Sequence, residues 1–309
     1  MSSRNGQESQ PGLSSILQAL ADTGRPLTDI PLDGLSDLNT SDLELFQSTW
    51  RALPAERQRT LISSLVEMAE DHVGVCYDAI FTNLLQDENP WVRMQSIEGL
   101  WESEDVRLIP PLIDLMQYDD TPEVRAAAAL SLGRFLLLGE LNKVDQQAAG
   151  RVENALMHSF DEREFHVTVR RRILESLAYS SHERIRDLIL SSYDDEDDDM
   201  RTSALFAMGR SADPTWQAFV LAELASTDDA IRFEAARASG ELELAEAIPY
   251  LLDMLDEEDV EIRDAALWAL GRIGGKAALR ALRACAESED EALREIAEDA
   301  LDELLFLSN

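Results

Sequence analysis

Asp259-Val260-Glu261-Ile262-Arg263-Asp264-Ala265-Ala266-Leu267-Trp268-Ala269-Leu270-Gly271 is the stretch whose spacing decides the architecture. Ile262, Ala265, Ala266, Ala269, Leu270 and Ile273 recur at steps that keep them on one side of a helix with 3.6 residues per turn. Asp259, four residues before the arginine, stands where a carboxylate accepts the free amides of a helix start. The same phrase, an aliphatic residue, arginine and a small or apolar residue three further on, centres on Arg93, Arg125, Arg170, Arg201, Arg232, Arg263 and Arg294, at separations of 32, 45, 31, 31, 31 and 31 residues. Self-similarity at such a period marks stacked supersecondary units.

Working outward, Asn89, Thr121, Asp197, Asp228 and Asp290 occupy the position of Asp259 in the other units, and His166 alone breaks this capping rule. Pro90 and Pro122 follow their caps, where a missing N–H costs nothing. Upstream of each such helix lies another apolar helical segment, as in Ile109 to Met116 and Ile248 to Leu255, so each unit reads as a first helix (A), a turn and a second helix (B). A pair of about 30 residues cannot bury both its faces alone, and neighbours must stack. The predicted class is an all-α, α-α superhelix of about eight hairpins. Residues 1–38 read as a flexible lead-in, polar to about residue 12, with a short helix at Leu13 to Ala21. Residues 39–309 read as one repeat array: a capping pair over 39–74, repeats over 75–286 and a capping helix over 287–309. The 45-residue interval places an insertion near 138–151, either a functional loop or a tolerated lengthening.

Composition excludes several classes. The chain carries 61 acidic residues against 27 Lys and Arg, a formal net charge of −34, which repels phosphate backbones, so nucleic acid is not an expected partner. Cys76 and Cys285 lie among apolar neighbours and read as small buried side chains, not a disulfide framework. No apolar run is long enough to span a bilayer, and Met1 to Gln7 has no export character. The expectation is a cytoplasmic monomer or heteromer.

The segments Thr121 to Gly133 and Val260 to Gly271 resemble HEAT repeats, in the short bacterial variety named after phycobilisome lyases, and the resemblance covers roughly residues 55 to 305. It implies a helical-repeat fold and leaves function open, because members include lyase subunits, scaffolds, inhibitors and regulators. It also implies a ladder in which an acidic residue in the turn before one B helix pairs with the B-helix arginine of a neighbouring repeat. Six residues before the arginines stand Asp87, Asp119, Glu164, Asp195, Ser226, Glu257 and Ser288, so two rungs lack an acid. The seven arginines are therefore read as structural.

The other side of each B helix takes positions one, five and nine after the arginine. Its first two units give Met94, Glu98, Glu102, Ala126 and Leu130. Its middle collects Tyr179, Phe206, Phe233 and Trp268 beside Arg134, Arg171, Arg210, Arg237 and Arg272, the residue types that dominate binding hot spots. Two readings stand: a concave groove that binds a partner segment carrying acidic and apolar groups, or side chains that pack on the next B helix with arginines covering aromatics. Basic surfaces of a partner suit the acidic remainder.

No catalytic constellation emerges. Gly274-Gly275-Lys276 lacks the other parts of a P-loop, and His182-Glu183 occurs once, without the further copies a metal site needs. The acidic run Asp194 to Asp199 lacks the glycine-punctuated spacing of a calcium loop. Neither cofactor nor metal is called for. The function expected is a non-catalytic adaptor for another protein. The alternative, motivated by the resemblance, is a lyase-like subunit that holds or delivers a tetrapyrrole, with groove arginines meeting propionates.

Overall fold

The computed structural model describes residues 12–72, 74–162 and 166–307. Secondary structure among them is helical throughout, without strands. The chain divides into two compact units, residues 1–132 and 133–309. The helices are α1 (Leu13–Ala21), α2 (Thr40–Ala52), α3 (Ala55–Asp71), α4 (Asp78–Leu84), α5 (Pro90–Gly99), α6 (Ile109–Tyr118), α7 (Pro122–Glu140), α8 (Gln146–Asp161), α9 (Val167–Leu177), α10 (Arg184–Tyr193), α11 (Asp198–Arg210), α12 (Gln217–Glu223), α13 (Asp229–Glu241), α14 (Ile248–Met254), α15 (Val260–Ile273), α16 (Gly275–Cys285) and α17 (Glu291–Leu307). From α2 onward they form eight successive pairs. The odd-numbered member of each is its B helix, and the repeating arginine lies in the first turns of α5, α7, α9, α11, α13, α15 and α17.

The local reasons are those the sequence advertises. The Asp259 carboxylate accepts from the Glu261 and Ile262 amides at 2.8 and 3.3 Å and starts α15. Asn89, Asp197, Asp228 and Asp290 cap in the same way. His166 also caps, its Nδ1 accepting from the Thr168 amide at 3.3 Å, so the exception predicted at this helix start is an exception of residue type alone. Gly274 and Gly275, at φ of 70° and 88°, turn the chain from α15 into α16.

Burial on the B helices is wider than one stripe. On α15, Ala265, Leu267 and Gly271 are buried alongside Ile262, Ala266, Ala269 and Leu270, because the helix packs on its own A helix and also between the B helices before and after it. Small residues make that second contact. Gly240 of α13 sits against Ala269 of α15, Gly209 of α11 against Ala238 of α13, and Gly271 of α15 against Ala300 of α17. A glycine eight residues after one arginine thus meets an alanine six after the next.

Three segments differ from the sequence expectation. The described part of the lead-in is ordered and packed: Ile16, Leu20 and Leu35 are buried, and Arg57 of α3 donates to the Leu20 and Arg25 carbonyl oxygens at 3.3 and 2.7 Å. The polar leader lies outside the described residues. The insertion near 138–151 is mostly helix, since α7 runs to Glu140 and α8 starts at Gln146 behind the Asp145 cap. Ala148, Ala149 and Val152 are buried on α8, which is why those residues stay helical. Cys76 is exposed and Cys285 half-buried. Cys76 lies in the turn ahead of α4, where a helical spacing argument does not reach.

Candidate functional site

The second unit holds all nine residues of the predicted groove, and each of them is half-buried. Because B helices of successive repeats lie side by side, positions five and nine after one arginine come next to the same positions after the following one. Rings and guanidinium groups interleave there. Arg210 of α11 lies over the Phe206 ring of its own helix at 5.4 Å and over Tyr179 at 5.7 Å. Arg237 of α13 lies over Phe233 at 6.0 Å and over Trp268 of α15 at 5.5 Å. Each such contact is worth on the order of 0.5–2 kcal/mol, the more desolvated the stronger.

Carboxylates pair with three of the guanidinium groups. Arg210 pairs with Glu241 at 3.1 Å, Arg171 with Asp199 at 3.0 Å, and Arg272 with Glu303 of α17 at 3.1 Å. Arg134 is half-buried on α7. The arrangement is a wall of half-buried rings and guanidinium groups.

A buried polar cluster lies beneath this wall. Glu175 of α9 is only 5% exposed. It accepts from Arg172 at 2.5 Å and from the Ser203 hydroxyl of α11 at 2.7 Å, while Arg171 Nε donates to that same Ser203 oxygen at 2.9 Å. The next member, Glu234 of α13, has a buried Oε2 with no hydrogen-bond partner. Burial, and after it the nearby Glu175 and Glu241 carboxylates, pushes its carboxyl up from the ordinary 4.5 to about 7, against the opposing pull of Arg237 and Arg171. Arg172, Ser203 and Glu234 all stand two residues after a repeat arginine. That register, where Ala127 and Ala265 sit in other units, was the available signal for the cluster.

Glu234 carries a linkage prediction. In the folded chain it holds its proton up to about pH 7, but once unfolded only up to about 4.5. Folding therefore takes up a proton between those limits, and stability falls as pH rises through them. Glu234→Gln, which keeps the shape and removes the ionisation, should raise the unfolding free energy at pH 8, measured by urea titration, by an amount on the order of 1–3 kcal/mol. The gain should vanish near pH 4.5, and an equal gain at both pH values would contradict the assignment.

The repeat arginines do related but separate work. Arg93 Nε meets Asp119 at 2.7 Å, and Arg232 meets Glu257 at 2.7 Å, each acid lying six residues before the arginine of the next repeat. Where Ser226 supplies no acid, Arg201 turns to Glu223 of α12 at 3.5 Å and lies 6.0 Å over Tyr193, which itself donates to Glu223. Arg170 stacks on Phe160 at 5.0 Å, and Arg125 Nε donates to the Met116 carbonyl at 2.9 Å. Glu164 lies outside the described residues. Arg93, Arg232, Arg263 and Arg294 share a further bond, from NH1 to the backbone carbonyl six residues earlier, at 2.8, 2.9, 3.2 and 3.3 Å. The residue type at that position therefore does not decide it.

The acidic run is also occupied. Asp195 accepts from the Asp197 amide, Asp197 caps α11, Asp198 pairs with Arg201 and Asp199 with Arg171. Among the described residues no His, Cys, Asp and Glu side chains are grouped to hold a metal, and no helix is long and apolar enough to cross a membrane.

Comparison with known proteins agrees with this geometry at the level of the fold. In solved structures the chain is similar to the CpcE–CpcF complex of phycocyanin lyase from Nostoc sp. PCC7120, at 17% identity over 77% of this chain and 95% of that one, with a TM-score of 0.55. Human deoxyhypusine hydroxylase matches at 20% identity over 95% of this chain and 96% of that one, and importin beta at 16% over 95% and 44%, but their TM-scores of 0.37 and 0.49 add nothing to the fold argument. No curated protein matches. The model for HEAT repeats matches residues 77–149 and 217–302, just over half of the sequence, and the chain belongs to the HEAT-repeat family.

Proposed function

We propose that this protein is a non-catalytic scaffold that holds a segment of another protein along the B-helix wall of its second unit. The contacts would come from Arg134, Arg171, Tyr179, Phe206, Arg210, Phe233, Arg237, Trp268 and Arg272. The observation that carries the reading is the interleaved ladder, in which Arg210 and Arg237 each lie over two aromatic rings. Such groups are already fixed in place, so a partner that meets them gives up little side-chain entropy on the receptor side. A guanidinium has five N–H donors in a plane, and those not used by Glu241 or Asp199 can take a carboxylate of the partner while the ring edges take its apolar groups. Helical-repeat folds present extended surfaces suited to such a segment.

The same side chains would have to serve a tetrapyrrole. The cavity of about 320 Å³ beside Phe233 is lined by Asp229, Glu234, Asp259 and Glu261, and carboxylates there repel the propionates of such a pigment. A peptide that crosses the arginines fits the wall better.

Affinity purification from the native cell, followed by mass spectrometry, tests this with wild type and two variants in parallel. Phe206→Ala/Trp268→Ala removes two rings, and Arg210→Gln/Arg237→Gln removes the charges but keeps most of each chain length. Both should lose the partner recovered with wild type, weakening it roughly tenfold or more, with unchanged helicity by circular dichroism. Recovery of the same partner by both variants would refute the proposal.

A further inference from the structure

A second surface lies in the first unit, and its chemistry is the reverse of the wall just described. Successive B helices α3, α5 and α7 bound a cavity of about 420 Å³. Ile97, 3% exposed, forms its floor, and Met94 is half-buried beside it. Trp101 and Leu130 stand at the mouth, 52% and 37% exposed. Glu70, near the end of α3, and Glu98 of α5 flank the opening and are exposed, and no Lys or Arg lines it. Neither glutamate makes an ion pair among the described residues. A large indole held half in water at the lip of an apolar cup, with two carboxylates beside it, is unlike the scattered single apolar residues of an ordinary surface.

We propose that this cup docks a basic amphipathic helix of a partner protein. Two large apolar side chains of that helix, three or four residues apart, would fill the space over Ile97 between Trp101 and Leu130, and Lys or Arg on its flanks would meet Glu70 and Glu98. Charge selects this occupant. An acidic helix or a fatty carboxylate would bring a like charge against the two glutamates, whereas the net charge of −34 draws a cationic helix toward the chain before contact is made. The inference does not depend on the arginine and aromatic wall, which belongs to the second unit and takes the opposite charge.

Isothermal titration calorimetry with a synthetic probe, a helix carrying leucine on one face and lysine on the other, tests it on the full chain. Wild type should bind the probe and bind it less well as salt rises. Met94→Ser/Leu130→Ser should weaken the complex roughly tenfold or more by removing the apolar seat, while Glu258→Gln/Glu289→Gln, which removes two exposed charges elsewhere, should bind like wild type. Glu70→Lys/Glu98→Lys should weaken the lysine helix and strengthen a leucine and glutamate helix of the same pattern, a result a misfolded chain could not give. Equal binding by the Met94→Ser/Leu130→Ser variant, or by a lysine helix with alanine in place of leucine, would reduce the interaction to diffuse charge and overturn the proposal. Either failure leaves the wall of the second unit untouched, because its partner is scored in a separate assay.

Discussion

Arg93→Met should lower stability by about 3–5 kcal/mol, against about 1 kcal/mol for Arg263→Met, although the two arginines occupy the same place in the repeat. The difference lies in what each leaves behind. The Arg93 side chain is 10% exposed and its partner Asp119 4% exposed. Removing the guanidinium strands a carboxylate that is already out of water, together with the Asp87 and Glu88 carbonyl oxygens that Arg93 also satisfies. The Thr121 amide would still reach Asp119. Arg263 donates to the Glu257 carbonyl at 3.2 Å, and Ser288 stands where its acid would be. Urea unfolding followed by circular dichroism should separate the two variants clearly. In Arg93→Met/Asp119→Leu the loss should be smaller than for Arg93→Met alone, since the stranded charge is gone. Equal midpoints for Arg93→Met and Arg263→Met would mean that the ion pair contributes nothing beyond the shared backbone bond.

Gly240→Ala should destabilise by about 1–3 kcal/mol, the reverse of what alanine does inside an exposed helix. A Cβ at Gly240 would come 2.9 Å from the Ala269 Cα and 2.7 Å from the Trp268 ring. The first of these is backbone, so α13 and α15 would have to move apart, and the contact from Arg237 to Trp268 would open with them. Gly209→Ala should behave alike, with Ala238 Cα at 2.8 Å. Gly150→Ala in α8 is the control: nothing lies within 4 Å of its Cβ position, and the substitution should stabilise by about 0.5–1 kcal/mol. If all three variants shifted the urea midpoint in the same direction, close helix approach would not be what those glycines provide.

Much of this was legible in one dimension because it is local or periodic. Caps at Asn89, Asp197, Asp228, Asp259 and Asp290 depend only on a side chain and the two or three amides that follow it. Turn acids at Asp119 and Glu257 were expected to pair with an arginine of a neighbouring repeat because the chain resembles HEAT repeats, and the structure sets each beside the previous one. What escaped was set by neighbours far apart in the chain. Glu234 looks like any other acid of an acidic protein, and only the stacking of α9, α11 and α13 places it near Glu175 with one carboxyl oxygen buried. The extra residues near 138–151 looked like loop because Gly139 and Gly150 bracket a polar stretch. In the fold, Gly139 instead lets α7 approach Ala149 of α8.

By itself, then, the order of residues determined helix, pair and repeat, since backbone hydrogen bonds, caps and the 3.6-residue period act within about one turn. Which arginines lie on rings, which carboxylates lose their solvent and where an apolar cup stays open were decided by the packing of one B helix against the next. Those properties depend on distances of a few ångströms between residues some 30 positions apart, and only tertiary structure fixes such distances.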